Sequence, residues 1–494
     1  MQVGNRTIDE AFVAEVVGEV LRRLSDNGGM RSERTPVPAG TTRPGALEAP
    51  WQVGSNTFGI FRSVDAAVQA AGFAQRQLMD ASVAARARAV ECIRKVLRRD
   101  QEELGRLEFE ETKLGKLAHK FEKLEVAAGV PGVEMLRTEA TSGDHGLTVT
   151  EYAPFGVIGV VTPVTHSVPT LGCNAIMMVA AGNALVCSAH PSGARCAAEA
   201  TRRFNREIVR EIGIDNLVCA IENPSIETAT QIFQHPGVHL LCVTGGPAVA
   251  RAALSSGKRA IAAGPGNPPA VVDETADLEK AAKGIIAGAA YDNNLLCIGE
   301  KEVFVVEAVA ERLLDAMSRH GGHRLSREEI DRLARAVLFK DEASGHWLPR
   351  KEFVGQDPQV IARAIKVEVA PSVKLLFGLT DESNPLLPCE QMMPLLPVVA
   401  VRDVDEAIRL AVKYEHGFKH TAVMWSRNVE NLTKMGKACE ATVYVKNGPS
   451  PAGLGVGGQG YGSFSIATTG EGITSPLTFT RYRRCTMVGS LRIF

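Results

Sequence analysis

The apolar positions of this 494-residue chain change period several times, and each change marks a segment. In TIDEAFVAEVVGEVLRRL, residues Ile8, Phe12, Val13, Val16, Val17, Val20, Leu21 and Leu24 recur at steps of one, three and four. That spacing predicts a helix over 1–24 with one continuous apolar stripe. Asp9, Glu10, Glu15 and Glu19 interrupt it too often for the core of a secretion signal. Residues 25–50 are rich in Gly, Pro, Ser and Thr and read as a flexible linker. A tethered helix this short is marginal alone in water, so its stripe either folds back on its own subunit or docks on a partner surface. The linker favours docking.

From Val64 to Val130 the spacing is helical with few breakers. From Gly156 short apolar strands alternate with helices: GVIGVVTP, ALVCSAHP, NLVCAI, HLLCVTGG and RAIAAG are strands, and the stretches between them are helical. Strand–helix–strand repeated four times predicts a parallel, doubly wound sheet that collects ligands at the C-terminal ends of its strands. Three such ends carry suitable groups: Thr162-Pro163, His190-Pro191, and Thr244-Gly245-Gly246, which opens the helix of PAVARAAL toward a pyrophosphate. A second α/β unit starts near NPPAVVDETADLEKAAKGIIAGAAYDNNLLC and continues through KEVFVVE.

Charge narrows the functions. Lys plus Arg total 55 against 56 Asp plus Glu, without long runs of one sign, so nucleic acid is not an expected partner. No stretch reaches the roughly 18 apolar residues of a membrane span. The close pair His320 and His323 has no further ligand nearby, and no metal site is expected.

The ten cysteines show no C-x-x-C spacing and suit a reducing compartment. Cys92, Cys173, Cys196 and Cys439 fall in helical patterns and Cys187, Cys219 and Cys242 in strands, where cysteine is a small hydrophobe. Cys297, in DNNLLCIGEKE, sits at a helix-to-strand junction with polar company on both sides, which leaves an inert thiol and a nucleophile both open. The string GLGVGGQGYGS, Gly453 to Ser463, satisfies G-x-G-x-x-G but no helical pattern follows it, so it reads as a flexible loop.

Several separate stretches resemble the aldehyde dehydrogenase superfamily from about Trp51 onward. VVTPVTHSVP is similar to its T-P-W-N-F-P, AAGNALVCSAHPS to its A-A-G-N-x-V-V-x-K-P-S, VTGGPAVA to its F-T-G-S-x-x-V-G, AAGPGNPPAVVDETAD to its E-L-G-G-K segment, and EQMMPLLPV to its E-x-F-G-P-V. The resemblance implies an α/β fold of two doubly wound parallel-sheet domains plus a small oligomerisation element. Its expected bounds are 51–264 for the NAD-binding domain, with an oligomerisation hairpin at about 133–155, 265–440 for the catalytic domain, and 441–494 for a C-terminal return. It implies Cys297 as catalytic nucleophile and Glu390 on the nicotinamide ribose. Cofactor contacts are implied for Thr162, Pro163, His190, Pro191, Gly245, Gly246, Val249 and Gly264. It also implies a homodimer or homotetramer through TFTRYRRCTMV.

Two departures refine it. The family's general-base glutamate is Ala262 here, and its oxyanion-hole asparagine is Thr165, which with the Cys297 backbone N–H is expected to hold the substrate oxyanion. Without that base, hydrolysis of an acyl-enzyme is slow and another nucleophile can take the acyl group. This is the pattern of the CoA-acylating branch, with NAD and coenzyme A as cofactors and a short-chain aldehyde, propionaldehyde foremost, as substrate. The leader resembles the encapsulation peptides of the branch members in bacterial microcompartments, which implies a shell-protein partner and a location in the microcompartment lumen. Rival readings are a hydrolytic enzyme using His416 or His420 as substitute base, a phosphate-dependent semialdehyde reductase using Lys301, and a non-catalytic shell-associated binding protein.

Overall fold

Ser63 and Ser82 each close a helix start by accepting a backbone N–H, from Ala66 and Ala85 respectively, so the first long helical stretch divides into Val64–Asp80 and Val83–Arg99. It breaks again at Asp100 and at Lys113, which takes a left-handed conformation, leaving helices Gln101–Thr112 and Leu117–Ala128. These features belong to a computed structural model that describes residues 58–342, 345–468 and 470–492. The expected leader helix 1–24 and linker 25–50 lie outside the described residues.

Strand β1 (Ile60–Phe61) precedes these helices; β2 (Glu139–Gly143) and β3 (Gly146–Pro154) follow as an antiparallel hairpin. Strands β4 (Val157–Thr162), β5 (Ala184–Ala189), β6 (Val218–Ile221), β7 (Leu240–Thr244) and β8 (Ala260–Ala263) then alternate with helices. With β1 they form a six-stranded parallel sheet in the order β1-β6-β5-β4-β7-β8. Every residue of β4 and β5 is buried, as expected for central strands covered on both faces. Because the strands are parallel, Thr162 pairs with Ala189 and Thr244 with Ala263, so the C-terminal ends share one edge.

The second sheet contains β9 (Pro269–Val272), β10 (Glu302–Val306), β11 (Gly322–Leu325), β14 (Leu375–Thr380), β15 (Leu395–Val401), β16 (Thr421–Trp425) and β17 (Val443–Lys446), all parallel, in the order β11-β14-β15-β10-β9-β16-β17. A small hairpin, β12 (Leu338–Lys340) with β13 (Trp347–Pro349), lies outside it. The sheet corrects one expected boundary: its last strand, β17, lies beyond residue 440 because β17 pairs with β16 from Thr421↔Val443 onward.

After β17 the chain returns to the first sheet. The short hairpin β18 (Ile466–Ala467) with β19 (Gly472–Ile473) leads to β20 (Thr480–Val488), which adds to β3 to make a three-stranded antiparallel sheet. The return is bonded into the first core. Ser463 and Ser465 meet Cys173 and Asn174 of helix Ser167–Ala180, and Asn183 donates to Phe479 O at 2.9 Å. The architecture is α/β, with two doubly wound parallel sheets and a small antiparallel element.

Candidate active site

Helix Leu278–Ala289 ends just before three successive residues with left-handed backbone, Asp292 (φ 47°), Asn293 (φ 55°) and Asn294 (φ 63°). Non-glycine residues seldom adopt this conformation, and Asp and Asn tolerate it best because their short side chains bond nearby backbone. All three are fully buried and do so. Asn293 Nδ2 donates to Gly355 O at 2.9 Å, and Asn294 Nδ2 donates to Ala289 O at 2.8 Å and Glu300 O at 2.9 Å. The turn presents Cys297 three residues later.

Beneath that loop lies Lys301, with no solvent exposure. Its Nζ donates to Asn294 O at 2.9 Å, to Asn294 Oδ1 and to Leu296 O at 3.1 Å, which ties down the carbonyls just before the cysteine. Burial holds the Lys301 ammonium below the ordinary lysine range. Glu300 accepts from Ser450 N at 2.9 Å and Ser450 Oγ at 2.8 Å, locking the start of the glycine-rich segment against the cysteine loop. Burial raises the Glu300 carboxyl to about 7.

Cys297 is half-buried and opens onto a cleft shared with Lys123, His166, Tyr291, Leu454 and Phe464. Most of the remaining wall is apolar: Val126, Leu296, Ile298, Pro451, Val456 and Ile466. Burial, and then the charge of Glu390, push the thiol up to about 12, while Lys301 and backbone N–H groups at Cys297 and Ile298 pull the other way. The segment Gly453–Ser463 is indeed a loop, entered through the single turn Ser450–Leu454, but it has a use that its sequence does not announce: it walls the cysteine cleft.

Gly266 packs against the back of the cysteine. A methyl group there would stand 2.5 Å from Cys297 O and 3.1 Å from the His420 ring. Gly266→Ala is therefore expected to displace the cysteine loop and lower turnover by about 10²-fold, since misplacement of an attacking group by about 1 Å has that effect. The steady-state rate, with circular dichroism as the folding control, checks it.

Of the residues expected at the cofactor edge, His190, Pro191 and Gly246 are exposed, and Pro163, Gly245, Val249 and Gly264 half-buried. A Cβ on Gly246 or Gly264 would meet nothing within 4 Å. Gly246 also gives helix Pro247–Leu254 a start without a side-chain cap, leaving the N–H groups of its first turn to a ligand. Ser192 N donates to His190 Nδ1 at 3.1 Å and fixes the ring. These groups suit a dinucleotide. Thr162 does not: its hydroxyl points inward to Ser167 and Cys187, and its carbonyl accepts from His190 N at 3.0 Å, so both polar groups are committed inside the protein.

Thr165 is not among the residues lining the cleft; its carbonyl accepts from Lys120 and Lys123. Ala262 is half-buried on β8. His416 is exposed and lies 3.2 Å from Pro388 O, His420 is buried behind Gly266, and neither lines the cleft. Glu390 accepts from the Gly266 backbone, with its carboxyl raised by burial. The sequence reading missed Lys123 and His166. A signal existed for the first, because Lys120 and Lys123 stand on the same helix face as Leu124 and Ala127, where a lysine is otherwise costly.

Comparison with known proteins follows the same lines. The chain is 44% identical over 438 residues to the acetylating acetaldehyde dehydrogenase EutE of Salmonella typhimurium, covering 88% of this chain and 93% of that one. The propionaldehyde dehydrogenase of Rhodopseudomonas palustris, solved with bound CoA and an acylated cysteine, superposes with a TM-score of 0.85 at 44% identity, covering 88% and 99%. A propionaldehyde dehydrogenase from the fucose-utilisation microcompartment of Clostridium phytofermentans gives 0.85 at 38% identity, covering 88% and 100%. The aldehyde dehydrogenase family pattern matches residues 59–321, and the chain belongs to the aldehyde dehydrogenase family.

Proposed function

We propose that this protein is a CoA-acylating aldehyde dehydrogenase that converts a short-chain aldehyde, NAD and CoA into acyl-CoA and NADH. One observation carries the reading: no carboxylate is among the described residues lining the Cys297 cleft, and the family's base position is Ala262. The thiolate form of Cys297 adds to the aldehyde carbon, forming a C–S bond while the carbonyl π pair moves onto oxygen. NAD, when held at the edge built from His190, Gly246 and the following helix, supplies the hydride acceptor. The acyl group then sits on Cys297 as a thioester until the CoA thiolate attacks its carbonyl and displaces the cysteine. The narrow apolar wall supports a small alkyl aldehyde such as propionaldehyde or acetaldehyde, in keeping with the relatives' names. Supplying propionaldehyde, NAD and CoA and identifying the product by mass spectrometry tests this: propionyl-CoA is expected, and propionate as main product overturns it.

The leader 1–24 acts as an encapsulation helix that docks its apolar stripe on a microcompartment shell protein. The stripe itself, the linker behind it and the origin of the Clostridium relative support this. Deleting residues 1–24 is expected to leave turnover nearly unchanged and to abolish co-purification with a shell protein, with Val17→Glu acting likewise. Lost catalysis, or shell association that survives, would favour a helix folded back on its own subunit. At the other end, β20 offers an open strand edge with Tyr482 70% and Val488 79% exposed, which supports pairing into a homodimer or homotetramer.

A further inference from the structure

We propose that Lys123 is a catalytic residue whose ammonium donates to the substrate oxygen at Cys297, the role expected of Thr165. The proposal rests on the reading of Cys297 as nucleophile. Lys123 lies on helix Leu117–Ala128, is 1% exposed, and lines the same cleft as Cys297. An ammonium has three donors in a rotatable set. One goes to Asp292 Oδ2 and one to Thr165 O at 3.3 Å; the third has no partner among the described residues, on a side chain that borders the cleft. Thr165 thus serves through its carbonyl, which orients the lysine.

Burial holds the Lys123 ammonium below the ordinary lysine range, and neighbouring carboxylates balance its charge. Lys120 and Lys123 are buried against Glu108 and Asp292, two cations with two anions, with Lys120 Nζ 3.1 Å from Glu108 Oε1 and 3.7 Å from Asp292 Oδ2. Both carboxylates are anchored to backbone: Val168 N donates to Glu108 Oε2 at 2.9 Å and Lys116 N to Asp292 Oδ1 at 2.8 Å. Asp292 belongs to the turn that presents Cys297, and Thr165 and Val168 follow β4, so the ammonium is fixed from both walls.

An independent observation marks the same corner as ligand-facing. His166, 5% exposed, lines the cleft, and its Nδ1 has no hydrogen-bond partner. Burial and the two lysines hold its ring well below the usual histidine range, so it is neutral. Lys123 is then the one cationic donor among the lining residues, in a cleft whose other walls are mostly apolar. When the Cys297 thiolate attacks, the carbonyl π pair moves onto oxygen and the ammonium hydrogen-bonds it without giving up its proton. When the hydride leaves for the nicotinamide acceptor, the C=O bond re-forms and the contact weakens. A donor aimed at developing charge in a low-dielectric site is strong there.

The test compares Lys123→Met/Asp292→Asn with Asp292→Asn alone, so that no carboxylate is left stranded. The NADH burst from propionaldehyde and NAD is expected to fall about 10²- to 10³-fold in the double variant, the loss typical of one oxyanion donor. Alkylation of Cys297 by iodoacetamide, which develops no oxyanion, should stay within about threefold, and propionaldehyde should lose its power to slow that alkylation. A burst within about threefold of Asp292→Asn, or alkylation falling in parallel with the burst, overturns the proposal. Should the double variant not fold, Lys123→Gln decides: it keeps an N–H donor but no charge, and a burst equal to wild type overturns the assignment, whereas a loss of about tenfold or more with alkylation intact supports it. Turnover that survives Cys297→Ser removes the nucleophile assignment itself; turnover that needs Cys297 but ignores Lys123 removes only the oxyanion assignment.

Discussion

Cys297→Ser is expected to abolish NADH formation from propionaldehyde while leaving the fold intact. A serine hydroxyl is a far weaker nucleophile than a thiol, and the neutral histidine among the described residues lining the cleft, His166, is a weak base because burial holds it well below the usual histidine range. The wild-type thiol is itself held protonated at neutral pH, because burial and the neighbouring Glu390 push it up to about 12. Below that value each pH unit raises the thiolate fraction, so alkylation of Cys297 should quicken by about tenfold per unit from pH 7 to 10. Localisation by mass spectrometry is simple, since the other described cysteines are buried except Cys485 on β20. A folded Cys297→Ser variant with near wild-type turnover would show the site to be misassigned.

Steady turnover is expected to depend on CoA, whereas the first burst of NADH is not. Water near the acyl-enzyme has no matched proton acceptor when Ala262 occupies the base position, and loss of a positioned base costs about 10²- to 10⁴-fold. The rival bases fail on geometry: His416 faces Pro388 at the surface, and His420, lowered by burial to about 4, sits behind Gly266. CoA has no such need, because its thiol ionises near the value of free cysteine, about 8.5. Acyl-CoA with NADH should also run the reaction backward through the same thioester. Ala262→Glu should shift product toward free acid. Equal turnover with and without CoA, yielding propionate, would return the protein to the hydrolytic branch.

The alternating sheet was legible because fully buried parallel strands such as β4 and β5 are continuous apolar runs, and their helices carry clear stripes. Cys297 was legible as a thiol with polar neighbours, and the family resemblance supplied its role. The supports were not. Lys301, Glu300 and Asp292 act on groups that fold next to them, and a charged residue in a loop looks the same in sequence whether it is solvated or buried. Thr162 shows the opposite failure: a hydroxyl at a strand end reads as a ligand contact, but whether it turns inward to Ser167 depends on packing. The β17 boundary was missed because an edge strand of four residues, VYVK, carries little period of its own.

The return of the chain after β17 carries a consequence for biosynthesis. Helix Ser167–Ala180 and Asn183 find their partners in Ser463, Ser465 and Phe479, nearly three hundred residues downstream. A ribosome therefore releases the first lobe long before it makes the segment that seals it. Until the last turns emerge, the nascent first lobe lacks β20 along β3 and the serines that satisfy its central helix. The segment that completes the first lobe is made last, so premature termination between residues 446 and 463 leaves both sheets encoded and the first of them unsealed.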